Sequence, residues 1–171
     1  YALFFTALYT GMRRSELAGL RWGDVDLDRA TLSVRQTLQQ LRTGEYVVGQ
    51  PKSAKGRRLV DMPPSLALLL RQHREEQERY REMLGVALKD TDLVFSQPDG
   101  SPTRPDTLTW TFRRVAERLD LPTARFHDLR HTHASLMLAQ NVHPKIVSER
   151  LGHSSVSITL DTYSHVVPGL Q

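Results

Sequence analysis

Residues Tyr1 to Tyr9 are almost wholly apolar and lead into Gly11, a pattern that predicts a buried helix with a glycine stop. A second short helix is expected near Ser15, with Leu17 and Leu20 on one face and Glu16 in its first turn. Asp24 to Arg29 is turn-rich. Thr31 to Arg35 then alternates apolar and polar like a half-buried strand, and Tyr46–Val48 and Arg58–Val60 read as two more. Between the last two lies Gln50–Gly56, a turn with basic tips, so the middle of the chain predicts a small three-stranded antiparallel sheet.

Helical periodicity takes over from Pro63. A long helix is predicted from Pro64-Ser65 to about Leu84, apolar early (Leu66, Leu69, Leu70) and charged in its second half. Leu93–Phe95 is a short extended piece before the turn Pro98-Asp99-Gly100. A helix then starts at Thr103–Pro105, with Leu108, Phe112, Val115, Ala116 and Leu119 in one amphipathic stripe, and Pro122 ends it. Phe126–Gln140 predicts another helix. His143-Pro144 opens the next, which Gly152 closes, and Ser154-Ser155 caps a last one carrying Ile158, Thr162 and Tyr163. The expected class is α+β, mostly α-helical, in one domain over residues 1–171.

Composition narrows the chemistry. The 171 residues carry 23 Lys+Arg against 19 Asp+Glu, a net charge of +4, and the basic side chains are mostly Arg. A polyanionic partner such as nucleic acid suits this balance, and so does a plain solvated basic surface. There are no cysteines, which excludes disulfides, thiolate catalysis and Cys-ligated zinc. No apolar run approaches the ~20 residues that span a bilayer. The opening residues lack an initiator Met and a basic leader, and predict a chain cut from something longer.

Taken singly, the polar residues that stand out have ordinary explanations. His127 and Arg130, at i and i+3, share a helix face. His153 follows Leu151-Gly152 at a helix end, where a dipole contact would place it. Arg13 stands at a helix start, unfavourable for a cation, with Glu16 as its obvious carboxylate partner. Lys52 on a turn is by default a surface lysine, and Tyr163 on an amphipathic helix a core tyrosine.

Their order changes the picture. Gly11-Met12-Arg13-Arg14-Ser15-Glu16-Leu17, Pro51-Lys52-Ser53, His127-Asp128-Leu129-Arg130-His131-Thr132, Leu151-Gly152-His153 and Thr159-Leu160-Asp161-Thr162-Tyr163-Ser164-His165 follow one another over nearly the whole chain. This succession resembles the catalytic domain of tyrosine recombinases, the phage integrase family. The resemblance implies that Arg13 and Arg130 clamp a phosphate and that Lys52 lies on the turn between the second and third strands. It implies that His127 and His153 complete the clamp, that Tyr163 is the nucleophile, and that Glu16 accompanies the first arginine. It also implies a family core-binding domain that this stretch does not contain. Double-stranded DNA and further protomers in a tetrameric synapse would be the partners, with no membrane, metal or ATP, for a bacterial or phage-encoded protein expected in the cytoplasm at the nucleoid. Lys55, Arg57, Arg104, Arg113 and Arg125 are the further candidates for DNA-backbone contacts.

The chemistry of the residues is consistent with this. A phosphodiester under attack gains charge on its non-bridging oxygens, and catalysis is mainly positioning plus donors aimed at that charge. Arginine's planar fork suits a phosphate, so two Arg and two His can clamp one without a metal. A tyrosine hydroxyl, with an ordinary pKa of ~10, needs proton removal or nearby cations to attack. Lysine is a reasonable acid for the leaving 5′-oxygen. Competing readings are a zinc hydrolase built on His127, His131 and His133 with His143, His153 and His165 nearby, a catalytically dead DNA-binding relative, and a type IB topoisomerase. The first lacks a His-Glu-x-x-His box, and its His131 and His133 cannot both face His127. The second would have lost an Arg, a His or the Tyr. Against the third stand the Leu-Gly-His and Thr-x-x-x-Tyr-x-His strings, and the two remaining biological roles are integration or excision of a mobile element and resolution of replicon dimers.

Overall fold

In the computed structural model, which describes residues 1–51 and 56–164, the apolar opening forms helix α1 (Ala2–Thr10) and Gly11 ends it. Gly11 has φ 64°, and a Cβ there would lie 2.6 Å from Leu151 Cδ2 and 2.8 Å from the His133 ring. Backbone and space both require glycine, and its absence of side chain lets the end of α1 lie against two later helices. Helix α2 (Arg14–Ala18) follows at once, and a 3-10 turn at Trp22–Asp24 leads into strand β1 (Val25–Asp26).

The β region departs from the expected membership. Strands β2 (Thr31–Val34), β3 (Thr37–Gln40), β4 (Tyr46–Gly49) and β5 (Arg58–Asp61) form two antiparallel sheets, one ordered β1-β2-β5 and the other β3-β4. The three-stranded sheet therefore exists, but the Tyr46 strand belongs to the other sheet and pairs with Thr37–Gln40. That segment, Thr-Leu-Gln-Gln, has no clean alternation, since Thr37 and Leu38 are both buried. Val34 pairs with Arg58 and Thr37 with Gly49, so β2–β3 and β4–β5 are the arms of one interrupted ribbon. Arg35 and Gln36 connect the paired positions in one arm, and in the other the connection runs from residue 50 to residue 57. The tip is Leu41–Glu45, closed by the Leu41 N–H donating to the Glu45 carbonyl at 2.8 Å. Lys52 and Lys55 lie outside the described residues.

Five helices follow: α3 (Pro64–Met83), α4 (Pro105–Arg118), α5 (Asp128–Ala139), α6 (Pro144–Leu151) and α7 (Val156–Tyr163). The principal core joins Leu17, Trp22, Leu32, Val60, Leu66 and Leu70, so the first half of α3 supplies its apolar side chains, while the buried Gln77 of the second half accepts the Trp22 ring N–H at 2.6 Å. Full burial of each large aliphatic side chain here contributes about 1.5–3 kcal/mol. A second cluster is made by Ala134, Leu138, Val147, Leu151 and Tyr163 from the last three helices. The α4 stripe is only half buried. Leu108 and Ala116 are covered, and Phe112 meets Phe4 and Phe126 edge-on at 5.5 and 5.8 Å, but Val115 and Leu119 face solvent. Among the described residues no helix is long and apolar enough to cross a membrane.

Candidate active site

The ends of α1 and α6 meet, and arginines gather on their carbonyls. The last four carbonyls of a helix have no partner within it. At the end of α6 three successive ones are taken by three different guanidiniums: Arg58 Nε donates to the Arg150 carbonyl at 2.6 Å, Arg130 Nη2 to Leu151 at 2.8 Å, and Arg13 Nη2 to Gly152 at 3.3 Å. Arg130 Nη1 also donates to the Gly11 carbonyl at 2.6 Å, where α1 ends. The negative ends of two helix dipoles therefore hold the cations in place.

One carboxylate sits among them. Glu16 is 1% exposed. It accepts the Arg13 backbone N–H at 2.8 Å and Arg13 Nη1 at 2.9 Å, which together cap α2. Arg58 holds both of its oxygens, Nη1 to Oε1 at 3.1 Å and Nη2 to Oε2 at 2.9 Å. Burial alone would raise the Glu16 carboxyl, but the Arg58 bonds and charge, helped by Arg13, outweigh it and hold the group below its ordinary value. Two guanidiniums, Arg13 and Arg58, thus share a single carboxylate with Arg130 nearby, an arrangement that leaves positive charge for an incoming anion. Burial, then Arg13, lowers the Arg130 guanidinium to about 9, which still leaves it charged at neutral pH.

The histidines and Tyr163 lie beside this cluster. His127 caps α5, exposed, with its ring edge-on to His131 at 4.8 Å between centroids. His153 is fixed through Nδ1, 2.8 Å from the hydroxyl of the fully buried Thr159. Tyr163 ends α7, its ring packed on Ala134, Leu138, Val147 and Leu151 and its hydroxyl 2.8 Å from His131 Nδ1. Burial raises the hydroxyl's pKa above its ordinary value, and Arg130 opposes the rise. His133 turns away to the α1 side and accepts from Arg150 Nε at 3.0 Å. Among the described residues no three His, Asp or Glu side chains are grouped as a metal would require.

Burial, reinforced by neighbouring arginines, lowers both His133 and His153 to about 4. In the unfolded chain they titrate near ~6.5. Between those values the unfolded state binds protons that the folded state refuses, so stability falls as pH drops from about 6.5 towards 4. Loss of the Glu16 charge at still lower pH acts in the same direction. Urea midpoints measured at pH 7, 6, 5 and 4.5 are expected to decline steadily, and a flat series would contradict the buried neutral histidines.

The other sequence candidates stand further out. Arg104 caps α4 and is exposed. Arg57 is exposed beside Arg35 on a cleft of about 450 Å³. Arg113 and Arg125 are exposed but each pairs with its own neighbour, Glu117 at 3.0 Å and Asp128 at 3.1 Å. A groove of about 560 Å³ lined by Arg13, Arg14, Leu38, Arg42, Asp106 and His127 opens onto the arginine cluster.

Compared with known families, residues 1–168 match the phage integrase family. The chain belongs to that family. It is 35% identical over 178 residues to the protein named tyrosine recombinase XerC-like of Caldanaerobacter subterraneus subsp. tengcongensis, covering 98% of this chain and 46% of that one. It is 33% identical over 172 residues to the ICEBs1 integrase of Bacillus subtilis, covering 100% of this chain and 46% of the other. The Tn1549 transposon integrase, solved in complex with transposon right end DNA, superposes with a TM-score of 0.81 at 23% identity over 95% of this chain and 53% of that one, and so has the same fold. The chain spans about half the length of the curated relatives it matches.

For this phage integrase family member the structure brings together five of the six residues that the motifs select, and the sixth, Lys52, lies outside the described residues. Three further participants were not selected. Arg58 shares an inward face with Val60, so its alternation on β5 was the available signal of a buried charge. Thr159 stands at i−4 from Tyr163, on the same face of α7. His131 stands at i+4 from His127, and its partner is 32 residues away.

Proposed function

We propose that the protein cleaves and rejoins strands of double-stranded DNA through a covalent link between Tyr163 and a 3′-phosphate. The observation that carries this reading is the cluster of Arg13, Arg58 and Arg130 about Glu16, with Arg13 lining a groove and the Tyr163 hydroxyl within reach of the Arg130 charge. Arg13 and Arg130 donate to the non-bridging oxygens of the scissile phosphate, with His127 and the free nitrogen of His153 completing the set. Glu16 holds Arg13 in register. Tyr163 attacks phosphorus, the bond to the 5′-oxygen breaks, and Lys52 supplies the proton that this oxygen takes. The phosphotyrosine keeps the energy of the broken bond, so rejoining takes neither ATP nor a metal.

The whole protein would carry a further DNA-binding domain before residue 1 and act as several protomers on DNA. Lys55, Arg57, Arg104, Arg113 and Arg125 would add phosphate contacts, which position without specifying sequence. The names of the integrase relatives support a role on a mobile element, and the XerC-like relative supports dimer resolution as the second reading. The test is strand exchange between two labelled duplexes carrying the recognition site, run with the full-length protein in EDTA and without nucleotide. Exchange is expected to proceed at the same rate as without chelator. Loss in EDTA, restored by Mg²⁺ or Zn²⁺, would overturn the metal-free clamp.

A further inference from the structure

We infer that His131 is the catalytic base of this site: its Nδ1 takes the proton of the Tyr163 hydroxyl as the tyrosine bonds to phosphorus. The inference rests on the strand-transfer reading above. The geometry that carries it is a hydrogen bond of 2.8 Å between the two groups, with the tyrosine ring fixed by four apolar side chains and His131 fixed on the second turn of α5. General-base catalysis requires that reach between heavy atoms before any question of acidity arises.

The surroundings divide labour among the histidines. His127, one turn earlier on the same helix, meets His131 only edge-on, and its ring nitrogens have no hydrogen-bond partner among the described residues. His153 already spends Nδ1 on Thr159. His131 is thus the histidine engaged with the nucleophile, while His127 and His153 keep a nitrogen for the phosphate. The charged and titratable groups acting on this pair are His127, Asp128 and Arg130 on α5, His153 before α7, and Tyr163 itself. The Arg130 charge acts on the hydroxyl and opposes the rise of its pKa, so charge left there as the proton departs is partly offset by a guanidinium.

The step balances. The Tyr163 O–H bond breaks, its proton passes to Nδ1 of a ring already protonated on Nε2, and the oxygen forms its bond to phosphorus. The phosphorus–O5′ bond breaks and that oxygen accepts a proton from Lys52. Rejoining runs the same transfers backwards, with His131 returning its proton to the tyrosine. His131 therefore bears on cleavage and rejoining alike.

The test uses the full-length protein and His131→Asn, whose side-chain oxygen stands close to the Nδ1 position and accepts the hydroxyl without serving as a base. Single-turnover adduct formation on a nicked suicide substrate is expected to slow by ~10²–10⁴-fold, the range for a general base, with DNA affinity and thermal midpoint like the parent's. An Asn variant as fast as the parent would overturn the inference and leave His131 as an orienting contact. Nitrogen-15 spectra of labelled histidine supply a readout independent of activity. His131 Nδ1 is expected to be bare in the DNA-free protein and to shift in Tyr163→Phe, whereas a proton resident on Nδ1 at neutral pH would overturn the assignment. Failure of the strand-transfer reading looks different: the parent itself then forms no adduct on Tyr163, whatever the histidine spectra report.

Discussion

The Tyr163→Phe protein is expected to fold and bind DNA like its parent and to form no covalent adduct at all. The two roles of this residue lie in different atoms. Its ring packs on Ala134, Leu138, Val147 and Leu151, and phenylalanine preserves every one of those contacts. Its hydroxyl makes a single side-chain bond, to the half-buried His131, and losing a bond of that kind costs about 0.5–1.5 kcal/mol. The arginines that would hold DNA phosphate do not touch the hydroxyl through any bond, so affinity is retained. Thr162 and Ser164 lie on other faces of the chain by the helical repeat, and neither can replace the missing oxygen. The measurement is denaturing electrophoresis of the parent and variant on a suicide substrate bearing the recognition site, beside their melting curves. A Phe variant that still becomes attached to DNA would remove Tyr163 from the mechanism.

Arg58→Met is expected to destabilise the fold by about 3–5 kcal/mol, the usual effect of removing one partner from a buried ion pair. Glu16 is 1% exposed and the Arg58 side chain 6%, so water cannot replace the lost bonds. The substitution also releases the Arg150 carbonyl at the end of α6. What remains on Glu16 is Arg13 alone, which draws that guanidinium towards the carboxylate and away from an incoming phosphate. A denaturant titration of parent, Arg58→Met and Arg58→Met with Glu16→Gln measures the effect. The second substitution removes the stranded charge and is expected to recover part of the loss. A single variant within 0.5 kcal/mol of the parent on the scale of ordinary surface substitutions would show that Arg58 and Glu16 do not depend on each other.

Much of this was legible along the chain because local signals agree with the fold. Gly11 and Gly152 end helices where the pattern places them, both with positive φ, and Pro144 opens α6. The Arg13–Glu16 pair follows from one turn of helix, and the structure contains it. What was not legible depends on long-range geometry. Arg130 reaches a carbonyl 119 residues away and Arg13 one 139 residues away, and no spacing rule predicts that these distant backbone oxygens help to hold the cations. Strand β3 escaped because Thr-Leu-Gln-Gln owes its conformation to pairing with β4 instead of its own alternation. For the same reason the Tyr46 strand was expected in the wrong sheet. Tyr163 looked like a choice between core and chemistry, whereas its ring is in the core and its oxygen is in the site.

The central claim, attachment of DNA to Tyr163 through a 3′-phosphate, has one direct measurement. The full-length protein is trapped on a nicked suicide substrate in EDTA, digested with protease and nuclease, and the peptide that retains a nucleotide is sequenced by mass spectrometry. The account predicts a single modified peptide, with the phosphate on Tyr163 joined to a 3′-oxygen of the DNA and a free 5′-hydroxyl on the released strand. Phosphate on any other residue, or a 5′ linkage to the protein, would contradict it.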